Sequence, residues 1–189
     1  MNDIPVLKDY QIASYFQELS ADSLYPSAGS SAAMTAAHAA ALFTMVCRVN
    51  LRVAGEGPSS AKEETSEGKT FWQETLHTAS LLLERALSLA QDDGFAIKDF
   101  VEGNPAGPGK ATAVPLQIAR CARKIIALIT EAMPQSYPPV QADAECSRCL
   151  AQGSKKAALA VARHNLPLLS PAERQHCVNQ IAELEQQEK

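Results

Sequence analysis

Apolar residues recur at steps of three and four along most of the chain, which is the spacing of an α-helix with one buried face. The first such stripe consists of Ile12, Tyr15, Phe16 and Leu19. No segment sustains the alternation of apolar and polar residues that marks a half-buried strand. The pattern therefore predicts an all-α fold of antiparallel helices.

The second predicted helix is rich in alanine and apolar on nearly every face. It follows a turn at residues 25–30 and runs to about Val53. A helix without a polar face belongs in the middle of an assembly. Its apolar run at residues 32–47 is interrupted by polar side chains, so we expect no membrane insertion.

Segments rich in glycine, proline or serine separate the later helices. We expect these breaks at residues 54–68, 104–109 and 133–139. A third helix then carries an apolar stripe from Trp72 to Val101, and a fourth begins near Thr112.

The last two predicted helices lie in the C-terminal third of the chain. The fifth places seven residues in one apparent line, Val140, Asp143, Ser147, Leu150, Ser154, Ala157 and Val161. The sixth begins with Ser170 as N-cap, Pro171 at the first helical position and Glu173 as a capping-box glutamate.

Composition narrows the class of protein. A content of 46% apolar but only 5% aromatic residues favours closely packed helices over an aromatic-centred sheet. The length of 189 residues suits one domain, residues 1–189. A net charge of −4 argues against a nucleic-acid partner. The first residues lack the basic and apolar regions of a signal peptide, so we expect a soluble, cytoplasmic protein.

Five cysteines are spread through the predicted helices, which suits reduced thiols better than a disulfide framework. Cys146 and Cys149 are the only closely spaced pair, and neither the further ligands of a zinc site nor the strand of a thioredoxin-like site is visible. We therefore predict that the cysteines are packing residues.

Asp93 and Asp143 are the candidate catalytic residues, because each lies on an apolar stripe of a predicted helix. Burying an unpaired carboxylate costs several kcal/mol, about 3–5 by mutational measure, so it is seldom accidental. Small neighbours such as Ala90 and Ser147 would leave a hollow beside each acid. The alternative is that each aspartate begins a surface helical turn or pairs with an arginine such as Arg148.

The turn before the second helix is the candidate ligand-binding segment. Ser27, Ala28, Gly29 and Ser30 are small, so backbone N–H groups at the helix start are accessible to an anion. The alternative is a capping role, for which Ser30 is suited.

Five segments, in order, resemble the cyclodeaminase and methenyltetrahydrofolate cyclohydrolase family, which includes the C-terminal domain of formiminotransferase-cyclodeaminase. Residues 26–30 resemble its Pro-Gly-Gly-Gly-Ser motif, and residues 92–97 its Asp-Ala-Glu-Ala-Phe segment, with Asp93 on the acidic position. The other segments are similar to Val-Pro-Leu-x-Ile-Ala, Ser-Asp-Ala and Arg-Ile-Asn-Leu, at residues 114–119, 142–144 and 163–166.

This resemblance implies an up-and-down helical bundle of five to six helices, usually dimeric, that binds a tetrahydrofolate derivative without metal or organic cofactor. Its members hydrolyse the 5,10-methenyl form to the 10-formyl form, or convert the 5-formimino form to the methenyl form with loss of ammonia. Asp93 would be the acid/base, and Asp143 would orient the pterin ring or Asp93. The implied partners are a folate-type small molecule, a second copy of the chain and possibly a formiminotransferase.

Ser27 and Ala28 replace two of the three motif glycines, and Glu145 stands where the family has another. Added side chains occupy space near the backbone and disfavour positive φ. A non-catalytic relative that binds a folate-like ligand or a partner protein is therefore the alternative to an enzyme.

Overall fold

The computed structural model describes residues 11–55 and 62–186, and those residues form helices without any strand. The six α-helices are α1 (Ile12–Ser20), α2 (Ala28–Gly55), α3 (Lys62–Val101), α4 (Gly107–Ala132), α5 (Gln141–Asn165) and α6 (Pro171–Gln186). Short 3-10 turns lie at Met133–Gln135, Pro138–Val140 and Leu166–Leu168. The predicted all-α class is confirmed.

α2 is the central helix of the bundle. It packs along α3 and α5 and also contacts α4. By length and hydropathy it is the one described helix that could cross a membrane, yet 56% of its most apolar stretch is buried within the protein. Its contacts are those of a central bundle helix, as its alanine-rich sequence predicted.

Serine hydroxyl groups join α5 to this core. Ser147 Oγ donates a hydrogen bond to the Ala39 carbonyl oxygen (2.6 Å), and Ser154 Oγ donates to that of Ala32 (2.7 Å). The donors and the acceptors are both seven residues apart, so α5 runs antiparallel to α2 in a fixed register.

Two predicted boundaries were wrong. α3 begins at Lys62, inside the predicted loop 54–68, and residues 56–61 of that loop lie outside the described residues. α4 begins at Gly107 rather than near Thr112. Proline and glycine are compatible with a first helical turn, because its N–H groups have no partner within the helix.

Pro115 lies inside α4 rather than at its start. A proline lacks the N–H that would bond the carbonyl four residues earlier, which here belongs to Ala111. Asn165 Nδ2 donates a hydrogen bond to that carbonyl oxygen instead (2.8 Å). The end of α5 thus compensates the missing bond in α4.

The start of α6 has the predicted capping box. The Ser170 N–H donates to the Glu173 carboxylate (3.1 Å), and the Glu173 N–H donates to Ser170 Oγ (3.4 Å). Ser170 Oγ also donates to the Glu173 carboxylate (2.5 Å), and this bond and the one from the Ser170 N–H stabilise its ionised form, so Ser170 lowers the pKa of Glu173.

All five cysteines are free thiols; two are buried, two are exposed, and Cys177 is intermediate. Cys47 and Cys121 are buried as predicted, and burial raises the pKa of Cys47 to about 12. The packing prediction was wrong for Cys146 and Cys149, which are exposed on α5. The buried face of that helix consists mainly of alanine and serine, with Lys155 and Leu159.

Candidate functional site

Asp93 lies in α3, against the first turn of α2. It is only 2% exposed, so its inward orientation was predicted correctly. Asp93 Oδ2 accepts one hydrogen bond from the Ser30 N–H (2.7 Å) and another from Ser27 Oγ (3.0 Å). The carboxylate thus occupies the position that an external anion would take at the helix start.

Gly29 allows this close approach. A Cβ added at Gly29 would lie 2.0 Å from Asp93 Oδ1 and 2.5 Å from its Cγ. No side chain fits at that separation, so glycine is required here for the carboxylate to reach the backbone.

Ser27 and Ser30 close the turn between them. The Ser27 N–H donates to Ser30 Oγ (2.7 Å), and Ser30 Oγ donates to the Ser27 carbonyl oxygen (2.9 Å). Ser30 therefore lies within the first turn rather than at the N-cap, which corrects the capping alternative. Asp93 bonds the N–H group that an N-cap side chain would ordinarily bond.

Two motif glycines are replaced without backbone strain. Among the described residues, none other than glycine has positive φ, so Ser27 and Ala28 adopt ordinary conformations. Ala28 is exposed, and its methyl group does not enter the contact with Asp93. Ser27 donates a hydrogen bond to Asp93 through a hydroxyl group, which a glycine at this position would lack.

Burial raises the pKa of Asp93, and the hydrogen bonds from Ser27 and Ser30 oppose that rise. Desolvation prevails, because the hydration that stabilised the ionised carboxylate in water is worth more than the two hydrogen bonds that replace it. A carboxyl group with a raised pKa can exchange a proton closer to neutral pH.

Tyr25 provides a second contact between the turn before α2 and helix α3. Its hydroxyl donates to the Ala90 carbonyl oxygen (2.9 Å), one turn before Asp93. Tyr25 was not among the predicted site residues. The sequence pattern that could have indicated this bond is a tyrosine beside a proline-containing turn, because a buried tyrosine hydroxyl needs a hydrogen-bond partner.

A groove of about 400 Å³ lies beside this turn, between α1, α2 and α3. Its lining is largely apolar and includes Phe16, Leu83 and Leu87. Tyr15 and Ser31 belong to this lining. Burial raises the pKa of Tyr15, a hydrogen bond with Ser31 opposes the rise, and the charge of Asp93 adds to it, so the groove lies within electrostatic reach of the acid. A concave apolar surface with a few polar groups is the usual form of a small-molecule site.

Asp143 does not join Asp93. It lies in the first turn of α5 and is half-buried, one turn before Ser147, which contacts Ala39. Asp143 is thus level with about Phe43, whereas Asp93 contacts Ser30. Thirteen residues of α2 separate those levels, or about 20 Å at 1.5 Å per residue. The predicted meeting of the two acids within one chain was wrong.

The predicted line of α5 explains this error. Its buried face contains Ala144, Ser147, Ala151, Ser154 and Ala158, so Ser147 and Ser154 were correctly placed, but Asp143 lies at the edge. Arg148 bonds Glu145 through Nε (2.8 Å) rather than Asp143.

The sequence model of the formiminotransferase-cyclodeaminase family matches residues 11–104 and 106–184. The chain belongs to this family. No curated protein is significantly similar to it in sequence. Among solved structures, formiminotetrahydrofolate cyclodeaminase from Thermotoga maritima has a similar fold, with a TM-score of 0.75 and 15% identity over 96% of this chain and 91% of that chain.

In this member of the formiminotransferase-cyclodeaminase family, two of the recognised segments form one structural unit. Residues 26–30 and 92–97 lie against each other through Asp93, whereas residues 142–144 lie further along α2. Across the described ranges, no three His, Cys, Asp or Glu side chains are grouped as metal ligands. The site consists of one buried acid, a tight turn and an adjoining apolar groove.

Proposed function

We propose that the chain is a folate one-carbon enzyme, either a methenyltetrahydrofolate cyclohydrolase or a formiminotetrahydrofolate cyclodeaminase. The observation that carries this proposal is the buried carboxylate of Asp93, held by the motif turn at Ser27 and Ser30. Family membership supplies the substrate class. The chemistry needs no metal or organic cofactor.

In the cyclohydrolase reaction, a water oxygen bonds to the bridging carbon of the methenyl group. Asp93 accepts the proton that the water loses. The bond between that carbon and N5 then breaks as Asp93 delivers this proton to N5. The hydroxyl group left on the carbon loses its remaining proton to solvent and becomes the oxygen of the formyl group on N10. The methenyl bridge is cationic, so a nearby carboxylate also stabilises the positive charge of the bound substrate.

In the cyclodeaminase reaction, N10 bonds to the formimino carbon and loses its proton. The carbon–nitrogen bond to the leaving amine breaks after that amine is protonated, and ammonia departs. Asp93 in its protonated form is the acid for this step. A raised pKa suits both reactions, because the same group must hold and release a proton.

Asp93 Oδ1 is the atom proposed for proton transfer. The hydrogen bonds from Ser27 and Ser30 both use Oδ2, whereas Oδ1 lies against Gly29. The turn Ser27, Ala28, Gly29 and Ser30 then positions the acid beside the groove. Asp143 then has a secondary role: the Asp143 of another copy of the chain in the assembly would help to orient the ligand.

The test is the loss of methenyltetrahydrofolate absorbance with wild-type protein and Asp93→Asn. An asparagine oxygen can accept the same two hydrogen bonds, so the substitution removes the proton exchange with little change in shape. We expect a loss of about 10²–10⁴-fold in rate. Ammonia release from the formimino substrate distinguishes the two reactions.

Asp92→Asn is the matched control, because Asp92 is the adjacent acid and its carboxylate contacts Arg85 at the surface (3.4 Å). We expect its rate to stay within about twofold of wild type, as for a weak surface ion pair. Equal rates for Asp93→Asn and wild type would remove the acid/base role.

A non-catalytic relative is the second candidate, and one observation favours it. Asp93 is 2% exposed and bonds the first turn of α2, which a purely structural cap would also do. This candidate predicts that wild-type protein binds a folate-like ligand or a partner protein and leaves methenyltetrahydrofolate at its spontaneous rate of hydrolysis.

We further propose that the protein works as a homodimer in the cytoplasm, with a formiminotransferase as a functional partner. Exposed apolar residues on α2 and α3 support the homodimer, namely Met45 and Leu81. Apolar patches of this kind commonly mark protein interfaces.

A further inference from the structure

Ser27 donates a hydrogen bond to the buried acid from a position where the family motif has glycine. Its Oγ lies 3.0 Å from Asp93 Oδ2, and the Ser30 N–H lies 2.7 Å from the same oxygen. The Ser30 donor belongs to the main chain, so no side-chain replacement removes it. The Ser27 hydroxyl is therefore the one of these two donors that a substitution can add or remove.

The backbone of Ser27 is held independently of its hydroxyl group. Its carbonyl oxygen accepts hydrogen bonds from the Ser31 N–H (2.9 Å), Ser31 Oγ (2.8 Å) and Ser30 Oγ (2.9 Å). Its N–H donates to Ser30 Oγ (2.7 Å). Removal of the hydroxyl group therefore leaves the turn in place and takes one donor from Asp93.

The two donors give the oxygens of Asp93 different roles. The Ser30 N–H can only donate, so Oδ2 remains an acceptor when the acid is protonated, and Oδ1 carries the proton. A hydrogen bond to an ionised acceptor is about twice as strong as one to a neutral acceptor. The Ser27 hydroxyl thus stabilises ionised Asp93 more than protonated Asp93.

Hydrogen bonds, rather than charged side chains, oppose the effect of burial on Asp93. Burial raises the pKa of Asp93, and the bonds from Ser27 and Ser30 lower it, with the Ser27 bond the larger of the two influences. Loss of that bond would therefore raise the pKa of Asp93 further.

The titratable groups on the neighbouring helices leave this role to the hydroxyl. On α1, the pKa of Tyr15 is raised, chiefly by burial, so this phenol stays neutral where a carboxyl group titrates. On α3, the adjacent Asp92 belongs to a surface ion pair. On α5, the buried Lys155 bonds the Leu184 carbonyl oxygen of α6 (3.2 Å).

We propose that Ser27 is a positioning residue whose hydroxyl group keeps Asp93 in its ionised, proton-accepting form and extends the reaction to lower pH than a glycine would allow. This inference rests on the proposed function, in which Asp93 accepts the proton of the attacking water. Ser27 acts through Asp93 and needs no contact with the ligand.

The experiment compares wild-type protein with Ser27→Ala in two titrations. The first follows the carboxyl carbon of Asp93 by NMR in protein with labelled aspartate, and Asp93→Asn identifies the signal by its loss. The second follows kcat/KM for methenyltetrahydrofolate against pH, which reports the ionisation of the free enzyme. Loss of one hydrogen bond to a charged group changes proton affinity about 10-fold, so we expect both midpoints to rise by about one pH unit.

The pH dependence of the rate distinguishes this role from a purely structural one. Below the new midpoint a larger share of Asp93 is protonated, so Ser27→Ala should lose up to about 10-fold in kcat/KM there and approach wild type at higher pH. A substitution that only disturbed the turn would lower kcat/KM by a similar factor at every pH.

Two further variants complete the comparison. Ser27→Gly also lacks the hydroxyl and restores the motif residue, so we expect the same midpoints as for Ser27→Ala. Ser23→Ala is the matched control, because the Ser23 hydroxyl lies in the same connection but bonds the Tyr25 carbonyl oxygen (3.2 Å). We expect its two midpoints to equal those of wild type.

The outcomes separate this inference from the function on which it rests. An Asp93 signal with the same midpoint in wild type, Ser27→Ala and Ser27→Gly overturns the role of Ser27, as does a loss of rate that is equal at every pH. A shifted Asp93 signal in a protein without turnover, or with an unshifted rate profile, removes the proposed function instead. In that case the effect of Ser27 on the protonation of Asp93 stands, because the NMR titration needs no substrate.

Discussion

At Asp93, two hydrogen-bond donors and the positive end of the α2 dipole favour the charged carboxylate, whereas burial disfavours it. The net pKa is raised. An aspartate at an exposed helix start would behave in the opposite way, because water would remain around the charge. Desolvation therefore turns a structural contact into a group that can exchange protons.

This raised pKa predicts a pH-dependent stability that Asp93→Asn should remove. Folded protein keeps the Asp93 proton at pH values where the unfolded chain has lost it, so stability falls as pH rises from the ordinary value of 3.8 through the raised pKa. We expect the difference in free energy of unfolding, wild type minus Asp93→Asn, to decrease across that range. Urea unfolding at several pH values measures it, and a difference independent of pH would contradict the prediction.

Gly29→Ala tests the close contact between the turn and the acid. The added Cβ would lie 2.0 Å from Asp93 Oδ1, so the carboxyl group or the helix start must move. We expect a loss of about 1–3 kcal/mol in the free energy of unfolding, typical of an overpacked site, together with lower activity.

Gly153→Ala is the control for that substitution. Gly153 is an exposed position of α5, and nothing lies within 4 Å of an added Cβ. An alanine there should stabilise the helix by up to about 1 kcal/mol. Similar changes in the free energy of unfolding for Gly29→Ala and Gly153→Ala would refute the steric explanation for Gly29.

Sequence spacing could place Asp93 inside the bundle but could not place Asp143. The neighbours of Asp93 include buried Ala86, Ala90 and Leu89, so its stripe is well defined. On α5, small residues occur at adjacent positions, and lines through Asp143 and through Ala144 fit the helical period almost equally well. Which line is buried depends on the register with α2, a tertiary property.

At the level of elements, α2 and α5 approach closely because both present alanine and serine to each other. Ser147 and Ser154 each add a hydrogen bond to an α2 carbonyl oxygen. The helix packing was predictable from the small residues. The hydrogen bonds were not, since a serine in a helix bonds its own backbone equally well.

Replacing Ser147 and Ser154 together by alanine should weaken the pairing of α5 with α2. Each lost hydrogen bond is worth about 0.5–1.5 kcal/mol, so we expect the double variant to lose about 1–3 kcal/mol. Ser80→Ala is the control, because Ser80 Oγ donates to the Leu76 carbonyl within its own helix (2.8 Å). Chemical denaturation that shows the double variant no less stable than Ser80→Ala would rule out this account.

Helix boundaries were predictable from the sequence only where the signal for them is local. The start of α6 was predicted correctly because Ser170 and Glu173 form a local capping box. The start of α4 was not, because Gly107, Pro108 and Gly109 are equally typical of a loop. A bond from Asn165 in another helix compensates Pro115, and no local pattern reveals that bond.

For the whole molecule, the site depends on contacts far apart in the sequence. The turn at residues 27–30 and Asp93 are joined only because α3 packs antiparallel on α2. Each segment was recognisable on its own, and the family resemblance predicted that both matter. Their direct contact, and the groove beside them, emerge only from the packed bundle.

Dimerisation is the prediction that concerns the molecule as a whole. Leu81 is 58% exposed on α3 and Met45 is 36% exposed on α2, an arrangement that a second copy of the chain could cover. We expect light scattering after size exclusion to give twice the chain mass of 20.2 kDa for wild type. Leu81→Glu should give the monomer, because an unpaired carboxylate would be desolvated at the interface. Val178→Glu is the control, because Val178 is 40% exposed on α6, which packs against α4. A monomeric wild type, or a dimer that survives Leu81→Glu, would exclude this face as the interface.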